Sequence, residues 1–422
     1  MGSPKRVVVT GMGLVTPLGL DLASVQSKLF AGQTGIGPIS AFDRTQYRSQ
    51  NGGEVSSEAL AAALDSQKWR PTTDRATDML LVAAAQALRQ ASLLPPETET
   101  HLVDASQDEI AVLVGSGLGA SQHVTESWET YYSQGKRGLR HTTIPRCMMN
   151  SVSSHVSISF GLKGPNYVIS SACASSTIAL GQGFRMIRNA DVRRVLVGGT
   201  DAMFIEPLYA GWDKLGVMSR HSDPAQACRP FDLNRDGFVL GEGSGALVLE
   251  SLADASSRGA TIYAELLGYG ESSDASHITR PSAVGQAAAM AAALRSASLQ
   301  PKDIDFINAH GTATKANDSC ESEAICQIFG PPKKQPWVVA AKSLFGHSLG
   351  ASGVVETIAA IISLGHGRLH PNLNLEHPDP LCNLNLVGQE SLDIPLKTCM
   401  KNSFGFGGGN AVLILGGPDT AV

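Results

Sequence analysis

One phrase occurs twice. ALRQASLLP at residues 87 to 95 returns as ALRSASLQP at residues 293 to 301, each time leading into an apolar run, EIAVLVGSG (109 to 117) and then DIDFINAHG (303 to 311). Further pairs follow in the same order. VTGMG (9 to 13) matches LLGYG (266 to 270), and the run before Gly115 matches the run before His310. The strand entering Cys173 matches VVAAK (338 to 342), and GSGALVL (243 to 249) matches GGNAVLI (408 to 414). The spacing between partners shrinks along the chain, as expected of two diverged copies of one αβ unit in which the first holds most of the insertions. The chain therefore reads as two halves, 1–258 and 259–422, each a mixed sheet with helices, packed into one layered α/β body with a site between them. Residues 119 to 165 and 200 to 240 have no partner in the second half; polar or irregular in composition, they read as insertions that cap the site or join subunits.

Length and composition agree with that plan. A chain of 422 residues, 43% hydrophobic and 17% charged with 44 glycines, is a tightly packed enzyme-like body and not a disordered one. A net charge of −5 disfavours nucleic acid as a partner. No run of 18 apolar residues exists, so no membrane span is expected. Met1-Gly2-Ser3 is too short for a targeting peptide, and seven cysteines without regular pairing suit a reducing compartment, so the expected location is cytoplasmic.

The sharpest chemical signal is YVISSACASSTIALGQGFRMI, residues 167 to 187, read as strand, tight turn and helix. Cys173 falls at or beside the first helical turn, where free N–H groups and the helix dipole favour a thiolate. Gly181 and Gly183 inside the helix each cost about 1 kcal/mol relative to alanine, so a neighbour is expected very close to that backbone. The bland alternative is a small buried cysteine in a glycine-rich core helix. In the second half INAHGTATK puts His310 at a strand end with Thr312 and Thr314 behind it, and VVAAKSLFGHSLGASGVVE supplies Lys342, His347 and Glu356. If equivalent strand ends of the two halves face each other, both histidines approach Cys173. NSFGFGGGN (402 to 410) is bare enough for backbone N–H groups to reach a substrate as an oxyanion hole.

Three other patterns fail their own tests. Gly11, Gly13 and Gly19 do not have dinucleotide spacing. Asp232, Asn234, Asp236 and Gly237 have calcium-loop spacing, but Gly243 stands where the closing Glu belongs, so a turn carrying charge pairs is expected. His366 and His370 are separated by glycines and read as loop residues.

Together the Cys173 segment, His310-Gly-Thr-Ala-Thr, Lys342 with Gly346-His347, and Asn402-Ser-Phe-Gly-Phe-Gly-Gly resemble the beta-ketoacyl-acyl carrier protein synthases of type I/II, in the thiolase superfamily, over about residues 6 to 415. The resemblance implies a thiolase-like five-layer αβαβα fold built from two duplicated halves, a homodimer, and a Cys-His-His site that needs no metal. It implies decarboxylative Claisen condensation of an acyl thioester on Cys173 with malonyl-acyl carrier protein, in fatty-acid elongation. The alternative is the ketosynthase of a type II polyketide or polyene pathway, paired with a chain-length partner subunit as a heterodimer.

By matching position, Cys173 takes the acyl chain and the Cys173 and Phe406 amides form its oxyanion hole. His310 and His347 bind the malonyl thioester oxygen, while Lys342 and Glu356 orient and balance them. Thr312 and Thr314 contact the pantetheine arm, Leu118 and Phe406 line or gate the acyl tunnel, and Phe404 is a further substrate-binding residue. No cofactor is implied beyond the phosphopantetheine of the acyl carrier protein. That acidic partner would dock on basic residues, for which Lys68, Arg70 and Arg75 are candidates. Gly409, where the family usually has Thr, is expected to loosen the Phe406 loop, and Lys315 replaces a frequent proline at the surface. A true thiolase would need a second cysteine near residues 402 to 415, a starter-type synthase would pair His with Asn, and a chain-length subunit would lack Cys173.

Overall fold

A computed structural model describes residues 4–67, 72, 74–95 and 109–421. Ten strands carry the fold: β1 Val7–Val15, β2 Ala111–Gly115, β3 Asn166–Ile169, β4 Arg194–Asp201, β5 Gly243–Ser251, β6 Ala264–Ser273, β7 Phe306–Asn308, β8 Trp337–Val339, β9 Thr398–Phe404 and β10 Gly409–Gly416. Their hydrogen-bonded order is β8-β7-β9-β10-β6-β1-β5-β4-β2-β3. The order is palindromic about the β6·β1 junction: in each half two antiparallel strands lead into three parallel ones. The two half-sheets pair through Val7–Val9 against Leu266, Glu265 and Ala264.

Helices fill the space between and outside these half-sheets. The principal ones are α1 Arg75–Gln90, α2 Ser175–Arg188, α3 Ala283–Ala297, α4 Lys315–Phe329 and α5 Ser352–His366. α2 and α5 touch strands of both halves and form the middle layer, α1 packs outside β1 and β5, and α3 outside β6 and β10 with α4 beside it. The layers run αβαβα, with apolar cores between the sheets and outside each of them. β1 and β5 are buried along their whole length because helices cover both faces, which explains their continuous apolar sequences. Leu349–His366 is long and apolar enough to cross a membrane, but it is 89% buried as part of that middle layer.

The repeated phrase is the end of an outer helix. Both copies stop on a serine in the left-handed region, Ser92 at φ 56° and Ser298 at φ 57°. α1 and α3 then lie directly on glycines of the strands beneath. A Cβ on Gly13 would collide with the Ala83 carbonyl oxygen, and one on Gly270 with that of Ala289. In the middle layer the close neighbour expected at Gly181 is the Tyr269 ring, and at Gly183 the Val197 side chain.

Several expectations change. Residues 119 to 165 are largely helical, with segments Ser121–Gln134, Thr143–Cys147 and Ser151–Phe160, and they expose apolar side chains. The calcium-like turn is held by charge pairs: Asp232 accepts N–H bonds from Asn234, Glu376 and His377, and Arg235 pairs with Asp379. His366 is the last residue of α5, not a loop residue, because the helix tolerates Gly365 and ends at Gly367, φ 59°. His370 lies beyond it and is buried. Lys315 is exposed.

Candidate active site

Three parallel-strand ends and one glycine loop meet at the site. After β3, Ala172 takes φ 45° and turns the chain sharply, so that Cys173 stands two residues ahead of α2. After β7 come Ala309 and His310, followed by Gly311 at φ 44°. After β8 a single helical turn, Lys342–Phe345, ends at Gly346, φ 74°, and presents His347. Each of the three reacting side chains therefore has a left-handed residue beside it, a backbone state that costs energy outside glycine and clusters at functional sites.

Cys173 Sγ lies 3.1 Å from His347 Nε2. The His310 and His347 rings are 5.5 Å apart, edge to face, and the sulfur and one nitrogen of each ring fall within 4.8 Å of one another. His347 Nδ1 is 2.9 Å from the Ser352 hydroxyl, which can donate or accept and so permits either tautomer. His310 has less freedom. Its Nδ1 faces the Lys342 ammonium at 3.4 Å, its carbonyl accepts from the same ammonium at 2.6 Å, and its backbone N–H donates to Glu321. An ammonium has no lone pair, so Nδ1 accepts and Nε2 carries the proton, directed into the cavity.

Behind the rings Glu356 bridges two buried lysines, Lys342 on one carboxylate oxygen and Lys401 at 2.7 Å on the other. Burial, with the lysine charges adding to it, pushes both imidazoles well below their ordinary range and keeps them neutral. Burial also pushes the Cys173 thiol up to about 12, against the opposing pull of Lys342 and of N–H groups from Phe406 and Cys173 itself. Burial thus outweighs the helix-end stabilisation of a thiolate that the sequence led one to expect. Desolvation is the larger effect, and His347 is placed to take the proton when an acyl group arrives.

One cavity joins Cys173, His310 and His347 to the surface. Thr312, Thr314, Phe404 and Phe406 line it, as do Trp212 and Phe238 of the second insertion and Thr279 and Arg280 of the loop after β6. Thr312 and Thr314 hydroxyls are 2.9 Å apart, and Thr314 also caps α4. Phe406 stacks on Trp212 at 6.2 Å, and Phe404 stands edge-on to His310. Leu118 packs against the apolar cluster that contains Cys173 and is not among the residues lining this cavity. Its loop is clamped by the buried Asp201 carboxylate, which accepts N–H bonds from Gly117, Leu118 and Gly350. At Gly409 a side chain would crowd the Ser171 hydroxyl at 2.6 Å, so glycine and serine are fitted to each other there.

Arg75 does not serve as a docking cation. Its guanidinium is bound to the buried Glu242, a pairing invisible in sequence because the partners are far apart in the chain. Lys68 and Arg70 lie outside the described residues. Sequence reasoning missed Lys401, Trp212 and Asp201. Only Lys401 left a trace, a lone charge inside the apolar run TCMKNSF.

This fold and site define a condensing enzyme of the thiolase type, with a cysteine from one half facing two imidazoles from the other. Family models for the beta-ketoacyl synthase N-terminal and C-terminal domains match residues 4–255 and 263–376. The chain belongs to the beta-ketoacyl synthase family. It is 39% identical over 412 residues to a 3-oxoacyl-[acyl-carrier-protein] synthase 2 of Synechocystis, covering 97% of each chain. Among solved structures it resembles the ishigamide ketosynthase/chain length factor, with TM-score 0.88 and 33% identity over 98% of this chain and 100% of the other. It also resembles a type II polyketide ketosynthase, bound to the hexaketide and in complex with its acyl carrier protein, with TM-score 0.88 and 28% identity over 98% and 100% of the two chains.

Proposed function

We propose that the enzyme elongates acyl chains by condensing an acyl group held on Cys173 with a malonyl group on acyl carrier protein, in fatty-acid synthesis. The observation that carries this is the 3.1 Å contact of Cys173 Sγ with His347 Nε2 in a cavity that His310 shares. In the first half-reaction His347 accepts the thiol proton as sulfur attacks the acyl thioester. The Phe406 and Cys173 amides take the oxyanion, and the proton passes to the departing carrier thiolate. In the second, the bond to the malonyl carboxylate breaks and carbon dioxide leaves. The electron pair becomes an enolate whose oxygen accepts Nε2–H bonds from His310 and His347. The enolate carbon then attacks the acyl carbonyl, and Cys173 leaves as a thiolate that takes up a proton from water, the one proton each turnover consumes. The steps otherwise use side chains and the phosphopantetheine arm of the carrier, for which Thr312 and Thr314 offer hydroxyls along the cavity.

A homodimer is part of the proposal. The two outermost strands of the sheet hold equivalent places, but residues 385 to 387 bond to the free edge of β8, whereas β3 has no strand beyond it among the described residues. Beside β3, Tyr167, Ile158 and Met148 are exposed, a bare edge with an apolar rim of the kind that a second copy covers. A cytoplasmic location accompanies this reading.

Intact mass after incubation with acyl carrier thioesters tests it: a saturated acyl adduct on Cys173, followed by turnover with malonyl carrier thioester, is expected. No adduct would remove the enzyme reading. The resemblance to polyketide ketosynthases favours a second reading, in which the same chemistry serves a polyketide or polyene chain beside a chain-length partner. Turnover confined to polyunsaturated or polyketo thioesters would select it.

A further inference from the structure

The site buries two lysines where one ion pair to Glu356 would suffice. Lys401 sits on β9 with no exposed surface, between Met400 and Asn402, in a strand whose other inward positions are apolar or small. Its ammonium is 2.7 Å from Glu356 Oε2, while Lys342 holds Oε1. It also donates to the Asn402 carbonyl and, at 2.9 Å, to Ser403 Oγ. Ser403 Oγ lies 2.7 Å from Thr177 Oγ1, on the helix that follows Cys173. The contacts therefore run unbroken from Glu356 to the base of the nucleophile's helix. Burying a charge is costly, and a methionine would fill this volume without that cost, so a lysine here suggests a use for its charge.

We propose that Lys401 is a positioning residue for decarboxylation: by holding the second oxygen of Glu356 it keeps Lys342 against His310 and so keeps the His310 Nε2–H turned toward the enolate oxygen. The inference rests on the condensation proposed above. The groups facing the two rings are Lys342 from the turn after β8, Lys401 from β9, Glu356 and Ser352 from α5, Glu321 from α4 and Cys173 ahead of α2. Lys401 acts on both histidines in the same direction as burial, against their protonation. Glu321 is committed to backbone N–H groups of His310 and Gly311 and to the Asn402 amide, so it does not substitute for Glu356.

The test compares wild type with Lys401→Met, Lys401→Gln and Lys401→Arg in two measurements. One is the pH profile of malonyl carrier thioester decarboxylation, and the other is NMR titration of labelled histidine rings, assigned with His310→Ala and His347→Ala. Lys401→Met is expected to lower kcat about tenfold with little change in KM and to move the acid limb up by about one pH unit, the scale of losing one nearby charge. The titration midpoint of at least one of the two imidazoles should rise with the limb. Lys401→Gln keeps donors without charge and should give the same shift, covering the case in which the Met variant does not fold. Lys401→Arg should restore the limb. An unmoved limb and unmoved ring midpoints, with only the melting temperature lowered, would overturn the proposal and leave Lys401 as packing. If wild type decarboxylates nothing, the condensation reading falls on its own, and the ring titration still decides the role of Lys401.

Discussion

β3 and β8 occupy equivalent outer places in the two half-sheets, and each is followed by a turn and a middle-layer helix. What stands at their ends differs in kind. The first half places a sulfur there, and a buried carboxylate of that half, Asp201, is spent on backbone N–H groups of the loop that carries Leu118. The second half places nitrogen: His310, His347, Lys342 and Lys401, with Glu356 between the lysines. Two strand-end turns are brought face to face, and under the proposed condensation one half carries the covalent step and the other the charge that decarboxylation needs. The two chemistries should therefore come apart under mutation.

The largest effect expected is at the sulfur. Cys173→Ala should abolish acyl transfer, read as loss of the acyl adduct by intact mass, while malonyl carrier thioester still loses carbon dioxide because both imidazoles remain. A variant that retained an adduct at another residue would break the division. Next is His310→Ala. Losing one oxyanion donor should slow decarboxylation by about 10²–10³-fold, with Cys173 acylation kept, since His310 is not the ring that touches the sulfur. His347→Ala should impair both steps because its Nε2 serves both. Equal losses in both assays for the two histidines would erase the distinction between them.

Much of this division was legible in the chain because the repeat spelled it. The pairs at β1/β6, β2/β7, β3/β8 and β5/β10 share words, and once they are aligned the Cys173, His310, His347 and Lys342 strand ends must converge. The remaining pair, β4/β9, went unread because RVLVGGTD and TCMKNSF share almost nothing, and Lys401 and Asp201 sit on those two strands. Trp212 belongs to an insertion without a counterpart, so no repeat logic reached it. The state of Cys173 was misread for another reason. A helix N-terminus can be seen in sequence, but desolvation depends on Phe238, Leu349 and Leu240 closing around the sulfur from distant segments.

Two buried groups, one in each half, should answer acid in opposite senses. His370 in the second half is fully buried and pushed down to about 4. Its folded value lies below the unfolded 6.5, so the native state stays neutral while the unfolded chain takes up a proton, and stability falls as pH drops below 6.5. Asp201 in the first half is raised by burial to about 6. Its folded value lies above the unfolded one, so its contribution is greatest below the unfolded value and is lost as pH rises through about 6. His370→Leu should accordingly remove about 2 kcal/mol of the stability difference between pH 7 and pH 5, seen in denaturant midpoints at the two pH values. An unchanged difference would mean that His370 titrates normally in the folded state.

The smallest effect expected is itself a difference. Gly13 under α1 and Gly270 under α3 are equivalent positions, each with the carbonyl oxygen of a helix alanine where a Cβ would go. Neither Ala83 nor Ala289 lies at a helix end, so relief requires lifting a whole outer helix off its sheet. Overpacking of this kind typically costs about 1–3 kcal/mol, and Gly13→Ala and Gly270→Ala should each fall in that range by denaturant unfolding. Because the same contact is made twice, the two losses should agree to within about 1 kcal/mol, the spread that context introduces between like substitutions. A much larger gap would show that the halves, alike in topology, no longer share the packing that their common phrase encodes. The face-to-face placement of Cys173 and the imidazoles would then depend on the middle layer, α2 and α5, more than on the outer helices.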